Sequence, residues 1–181
     1  MKHQFQIIQA FFPHVTEVTI EPILGGLINT TFSVQIQNEQ QCSNYILQQI
    51  NTAVFQNPKT IQANITAVSN YLKSKNYPHP VLELCPTVEG KTETFYDGGT
   101  WRLFKQIENS YTINVVQNPE QAYAVGAFFG QFYTFLNGID LHQIQAVLPH
   151  FLDTKSRLVA FELALQSANS SRLIEANESI Q

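Results

Sequence analysis

The residues best placed to do chemistry lie in one short stretch, Gly25-Gly26-Leu27-Ile28-Asn29-Thr30-Thr31-Phe32. Two adjacent glycines leave the backbone bare, so that successive N–H groups can face the oxygens of a phosphate. The hydroxyls of Thr30 and Thr31 follow at once and can donate to the same oxygens. The residues also allow a second reading, in which Gly25-Gly26 serves only to turn a hairpin.

Little else has the spacing of a reactive site. There are three aspartates, Asp97, Asp140 and Asp153. Asp97 belongs to an Asp-Gly-Gly turn, and Asp153 stands where a helix wants its N-cap, a better use for it than a sugar ligand. His150 follows Pro149 and reads as a packed or hydrogen-bonded loop residue rather than a base. Cys42 and Cys85 have no second pair and no histidine at ligand spacing, which argues against a structural zinc of the four-ligand kind. Both read as reduced and half-buried. The ten Lys and Arg are scattered one or two at a time in a chain of net charge −4. A nucleic-acid binder gathers such residues into a stripe, so no nucleic-acid partner is expected.

At 181 residues the chain is long enough for one domain, or for a small lobe with part of another. Its longest uncharged stretches, such as 122–137, are broken by Gly, Gln and Asn and fall short of a membrane span. Gln4, Gln6, Gln9, His14 and Glu17 interrupt any signal-peptide apolar region. A soluble, cytoplasmic protein with no membrane partner is expected.

The elements that must position the glycine turn follow from periodicity. Phe5, Ile8 and Phe12 predict a short amphipathic helix over 3–12, closed by Pro13. Alternation over 15–24 and 30–37 predicts strands on either side of the turn, and 44–50 a third strand after a polar connection. Such short connections favour an antiparallel meander. Asn57 as cap, Pro58 at the first position and the stripe Ile61, Ile65, Val68 and Leu72 predict a helix. Two or three further strands are expected among 81–84, 93–96 and 100–106, with Asp97-Gly98-Gly99 turning between the last two. Asn118, Pro119 and Gln121 open a helix to 137 whose stripe of Ala122, Val125, Phe129, Phe132 and Leu136 is expected in a core. Gly126 and Gly130 leave room there for another backbone. A last helix begins near Asp153 and passes through Leu165. Strands first and helices after make the class α+β.

This order resembles the small lobe of kinase-like phosphotransferases. The glycine stretch is similar to the corresponding turn of the aminoglycoside phosphotransferase family. Ile46-Leu47-Gln48-Gln49-Ile50-Asn51 with Val54-Phe55, Ile107-Glu108-Asn109-Ser110-Tyr111 and Pro149-His150-Phe151-Leu152-Asp153-Thr154 resemble its N-acetylhexosamine 1-kinase branch. The likeness runs from about Val18 to Leu165. It implies a kinase-like N-terminal lobe, an antiparallel sheet with one inserted helix, over 1–109, and the first helices of a helical lobe over 110–181. It implies ATP and Mg²⁺ as cofactors of a full enzyme and a small-molecule acceptor such as a sugar. It places Gly25, Gly26, Asn29, Thr30, Thr31 and Gln48 at the nucleotide phosphates, and Ile107 and Glu108 in the linker whose backbone meets the base.

The chain departs from the pattern in two ways. Strand three of a kinase carries a lysine held by a glutamate of the next helix. Here that position is Gln48, and the helix beginning at Pro58 has no acidic residue through Lys73, so a phosphate-binding cation must come from elsewhere. No H-x-D-x-x-x-x-N occurs either, and the aspartates come too early to be a catalytic base or a metal ligand. The expectation is therefore a nucleotide-binding part, inactive alone. It is either a piece of a full kinase, whose uncovered aromatic face over 122–136 is expected to drive self-association, or a non-catalytic interaction module that grips a partner through its exposed helical face.

Overall fold

A computed structural model describes residues 2–38, 41–149 and 151–180. Contacts divide the chain into two compact units, 1–147 and 148–181. The first unit opens with helix α1 (Lys2–Gln9) and continues as a sheet. Strands β1 (Glu17–Ile23), β2 (Thr30–Asn38) and β3 (Gln41–Ile50) form a meander. Helix α2 (Pro58–Ser74) follows, then the hairpin β4 (Thr94–Tyr96) and β5 (Gly99–Lys105), then helix α3 (Pro119–Leu136). The sheet is antiparallel throughout, in the order β1-β2-β3-β5-β4. This is the α+β arrangement expected, with α2 inserted after the third strand.

Period-two alternation divides the sheet into two faces. Leu47 and Leu103 are paired across β3 and β5, and both are fully buried. They meet Ile7, Ile8 and Phe11 of the N-terminal segment, together with Val34, Ile36 and Trp101. Burying a leucine side chain of this kind contributes roughly 1.5–3 kcal/mol, so this face anchors the unit. The stripe of α1 is turned slightly from the Phe5, Ile8, Phe12 spacing, because the helix ends at Gln9 and a tight turn follows. In that turn the N–H groups of Phe11 and Phe12 both bond to Ile8 C=O. The next residues along each strand, Gln48 and Arg102, face the other way, toward α2.

Turn chemistry sets the β4–β5 register. Asp97 (φ 49°) and Gly98 (φ 72°) form a two-residue turn with both central residues left-handed, the geometry that matches strand twist in a tight hairpin. The strand expected at 81–84 is not there. This segment contributes one bridge, Leu84 to Phe104, with Lys105 N–H bonding Glu83 C=O and Cys85 N–H bonding Leu103 C=O. Pro80 and Pro86 flank it without N–H groups, so the ladder cannot extend. Asn57 precedes α2 but makes no capping bond.

Helix α3 starts as expected. Asn118 Oδ1 accepts from Gln121 N–H at 2.8 Å, and Gln121 Oε1 accepts in return from Gln117 N–H at 2.9 Å. The expected core stripe is a correction: none of the residues of α3 is buried, and Phe128 and Phe129 are 44% and 51% exposed. Tyr77 covers the inner edge through edge-on contacts with Phe132 and Phe135. Two hydrogen bonds between Asn64 and the backbone of Gln145 tie α2 to the segment after α3. A methyl group at Gly126 or Gly130 would touch nothing, so no other backbone lies against them among the described residues.

The second unit holds α4 (Thr154–Ser167) and α5 (Ser170–Ile180). Asp153 caps α4 through Ser156 N–H at 3.1 Å, as its position predicts. Asn169 caps α5 through Arg172 N–H at 3.0 Å. His150 lies outside the described residues.

Candidate functional site

The β1–β2 connection is built by its glycines. Gly25 takes φ +105°, a conformation that an L side chain resists, and a methyl group on Gly26 would stand 3.2 Å from Asn29 C=O. The turn is tied down at its far end. Asn29 Oδ1 accepts from Asn51 N–H at 2.9 Å, where the chain leaves β3. Ile28 and Thr30 share a shallow polar cavity of about 310 Å³ with Gln49, Asn51, Thr52 and Gly99. Leu24 and Leu27 at the tip are 88% and 99% exposed.

Below the turn a polar row crosses the sheet on the α2 face. Thr31, Gln48 and Arg102 are directly opposite one another on β2, β3 and β5. Gln48 Nε2 donates to Thr31 Oγ1 at 3.1 Å. Its Oε1 accepts from Arg102 Nε at 3.0 Å and from Nη2 at 2.5 Å. Arg102 Nη1 donates to Gln62 Oε1 of α2 at 3.0 Å, and Gln62 Nε2 reaches Glu93 Oε2 at 3.3 Å. Arg102 is 8% exposed, and its guanidinium lies 4.8 Å from the centre of the Phe104 ring. Burial pushes its pKa down to about 10, far enough above neutrality that it stays charged.

Ile107 and Glu108, read as linker residues, stand apart from this row in the clefts they line. Ile107 lines an apolar cleft of about 340 Å³ between α2 and α3, with Ile65, Val68, Leu72, Phe129 and Phe132. Glu108 is exposed and lines a shallow cleft with Glu83 and Lys105. Cys42 is exposed, against the half-buried reading. Cys85 is partly covered, and its thiol is pushed up to about 11 by burial, then by Glu83. Among the described residues no group of three His, Cys, Asp or Glu can hold a metal ion, and no helix is long and apolar enough to cross a membrane.

No protein-family model matches the sequence. The structure is similar to a crystal structure of spectinomycin phosphotransferase, APH(9)-Ia, in complex with ADP and spectinomycin. The TM-score is 0.54 at 13% identity, covering 98% of this chain and 54% of that one. The fold is kinase-like. The chain thus spans about half the length of the phosphotransferase it resembles. At this identity the likeness establishes architecture, and the residues must be read from their own geometry.

That reading adds Arg102, Gln62 and Glu93, which spacing along the sequence did not single out. A signal was present in Trp101-Arg102-Leu103-Phe104, where strand alternation puts a charged residue on an otherwise apolar central strand. Only the pairing of β5 with β3 brings it beside Gln48.

Proposed function

We propose that this chain is the nucleotide-binding part of an ATP-dependent small-molecule phosphotransferase. The carrying observation is the pinned glycine turn next to the Thr31–Gln48–Arg102 row, which combines bare backbone, hydroxyl, amide and guanidinium donors near one end of the sheet. These are the donor types that cradle a polyphosphate. The fold shared with a phosphotransferase crystallised with ADP supports the same reading. In it, 1–109 is the nucleotide-binding lobe and 110–181 begins a helical lobe, within a cytoplasmic enzyme.

Gly25, Gly26, Asn29, Thr30, Thr31 and Gln48 face the phosphates in this assignment, and Ile107 and Glu108 offer backbone to the base. The acceptor is a sugar or an amino alcohol, with the N-acetylhexosamine 1-kinase branch as the specific expectation from residues 46–51 and 107–111. Mg²⁺ belongs to the full enzyme in this reading, carried with the nucleotide phosphates, and no residue here is given the transfer step. Adding ADP should raise the melting temperature of the chain, because a ligand that binds only the folded state stabilises it. An unchanged melting temperature at millimolar ADP would count against the proposal.

A second reading is favoured by the half-exposed Phe128 and Phe129 of α3. It makes the chain an interaction module that grips a partner through this face. Co-purification of a stoichiometric partner separates the two, since a chain recovered without one contradicts this second reading.

A further inference from the structure

Building on the nucleotide-binding reading, we propose that Arg102 of β5 is the cation that holds the nucleotide polyphosphate, and that Gln48 and Gln62 are positioning residues which aim it. Gln48 occupies the strand position where a kinase has its lysine, and an amide brings no charge to a phosphate. Its direct cross-strand neighbour on the same face is Arg102. The cation has moved one strand across the sheet.

The surroundings of the guanidinium favour an anion that comes from outside the fold. Arg102 is nine-tenths buried, yet among the described residues its guanidinium pairs with no carboxylate. Its protein acceptors are two amide oxygens, Gln48 Oε1 and Gln62 Oε1. Amide oxygens orient a guanidinium without neutralising it, so the positive charge remains available. A carboxylate, Glu93, enters its network only through Gln62; a buried cation without a direct counter-charge lowers stability, and a fold that needed only packing here would be better served by an apolar residue.

Donor count agrees with this. A guanidinium has five N–H groups in a rigid fork. Nε, one N–H of Nη1 and one of Nη2 are engaged by the two glutamines, which leaves two for a ligand. A planar fork suits bidentate phosphate binding, and Phe104 fixes its plane by stacking. Gln48 Nε2 keeps a second N–H beyond the one given to Thr31. The ligand class is a nucleoside di- or triphosphate gripped through its phosphates.

The test uses the whole chain with ADP, inorganic tripolyphosphate and adenosine as probes, calorimetry for affinity and circular dichroism to verify folding. The wild type should bind ADP and tripolyphosphate. Arg102→Met should weaken ADP about tenfold or more and abolish tripolyphosphate binding, with adenosine unaffected. The double variant Gln48→Lys with Arg102→Met, which returns the cation to strand three, should recover ADP binding. A folded Arg102→Met that binds ADP and tripolyphosphate like the wild type overturns the assignment. A readout on the wild type covers the case in which that variant does not fold: the Arg102 Nε–H resonance should shift with tripolyphosphate and stay put with adenosine. A wild type that binds ADP while this resonance stays still overturns the role of Arg102 alone. A wild type that binds neither ADP nor tripolyphosphate overturns the nucleotide reading as well.

Discussion

Gln62 Oε1 on helix α2 accepts a hydrogen bond from Arg102 Nη1 on strand β5 at 3.0 Å, and both side chains are buried. A helix and a strand forty residues apart in sequence are thus joined by a charged group and an amide. Replacing Gln62 with leucine removes an acceptor from a buried cation and a donor from Glu93. The expected cost is about 1–3 kcal/mol, read as a lower denaturation midpoint with an unchanged slope. A midpoint equal to wild type would mean that the Gln62 contact adds nothing to stability.

The β4–β5 hairpin offers two neighbouring glycines with different reasons to be glycine. Gly98 needs its positive φ, and alanine there should cost about 1 kcal/mol. Gly99 needs space, because a methyl group would stand 2.9 Å from Trp101 Nε1 and collide with the Gln49 amide. Gln49 can swing away but the buried indole cannot, so Gly99→Ala should cost about 1–2 kcal/mol. Thermal melts of the two variants check this, and a harmless Gly99→Ala would contradict the crowding.

Helix α3 rests on a cap. Asn118→Ala removes the acceptor for Gln121 N–H and should cost about 1 kcal/mol, whereas Asn118→Asp should keep the cap. Denaturant titration of both variants distinguishes a capping role from general packing, which would penalise both.

Lys73 on α2 pairs with Glu83 at 2.6 Å, with both side chains about half exposed. The hydrogen bond from Lys73 holds the Glu83 carboxyl below the ordinary carboxylate range. A depressed carboxyl contributes stability that is present above its unfolded pKa and lost as pH falls through the folded value. Solvent screening limits the contribution to at most about 0.5 kcal/mol. Glu83→Gln should therefore be slightly less stable than wild type near pH 7 and indistinguishable from it near pH 3. An equal difference at both pH values would exclude the ion pair as its cause.

What the sequence disclosed is local chemistry. Asp97-Gly98 specified its turn, Asn118 and Asp153 their helices, and Gly25-Gly26 the connection between two strands, because each feature is encoded within a few residues. Arg102 escaped because its meaning depends on register: Gln48 and Arg102 are 54 residues apart in the chain and adjacent only once β3 and β5 pair. Periodicity likewise showed that α3 has an aromatic stripe but not what lies against it. In the described structure that stripe is half open, with Tyr77 along one edge. The failed strand at 81–84 shows the limit from the other side. Its apolar pattern was right for a strand, but prolines on both sides deny it the hydrogen bonds of a ladder.

The central claim is that nucleotide phosphates sit between the glycine turn and the Thr31–Gln48–Arg102 row. The most direct measurement is an ADP titration of the isotope-labelled chain followed by amide and side-chain NMR. The account predicts shifts at Gly25, Gly26, Thr31 and the side chains of Gln48 and Arg102, saturating together with one dissociation constant. A folded chain whose spectrum does not change at millimolar ADP, or changes only at residues far from this row, would contradict it.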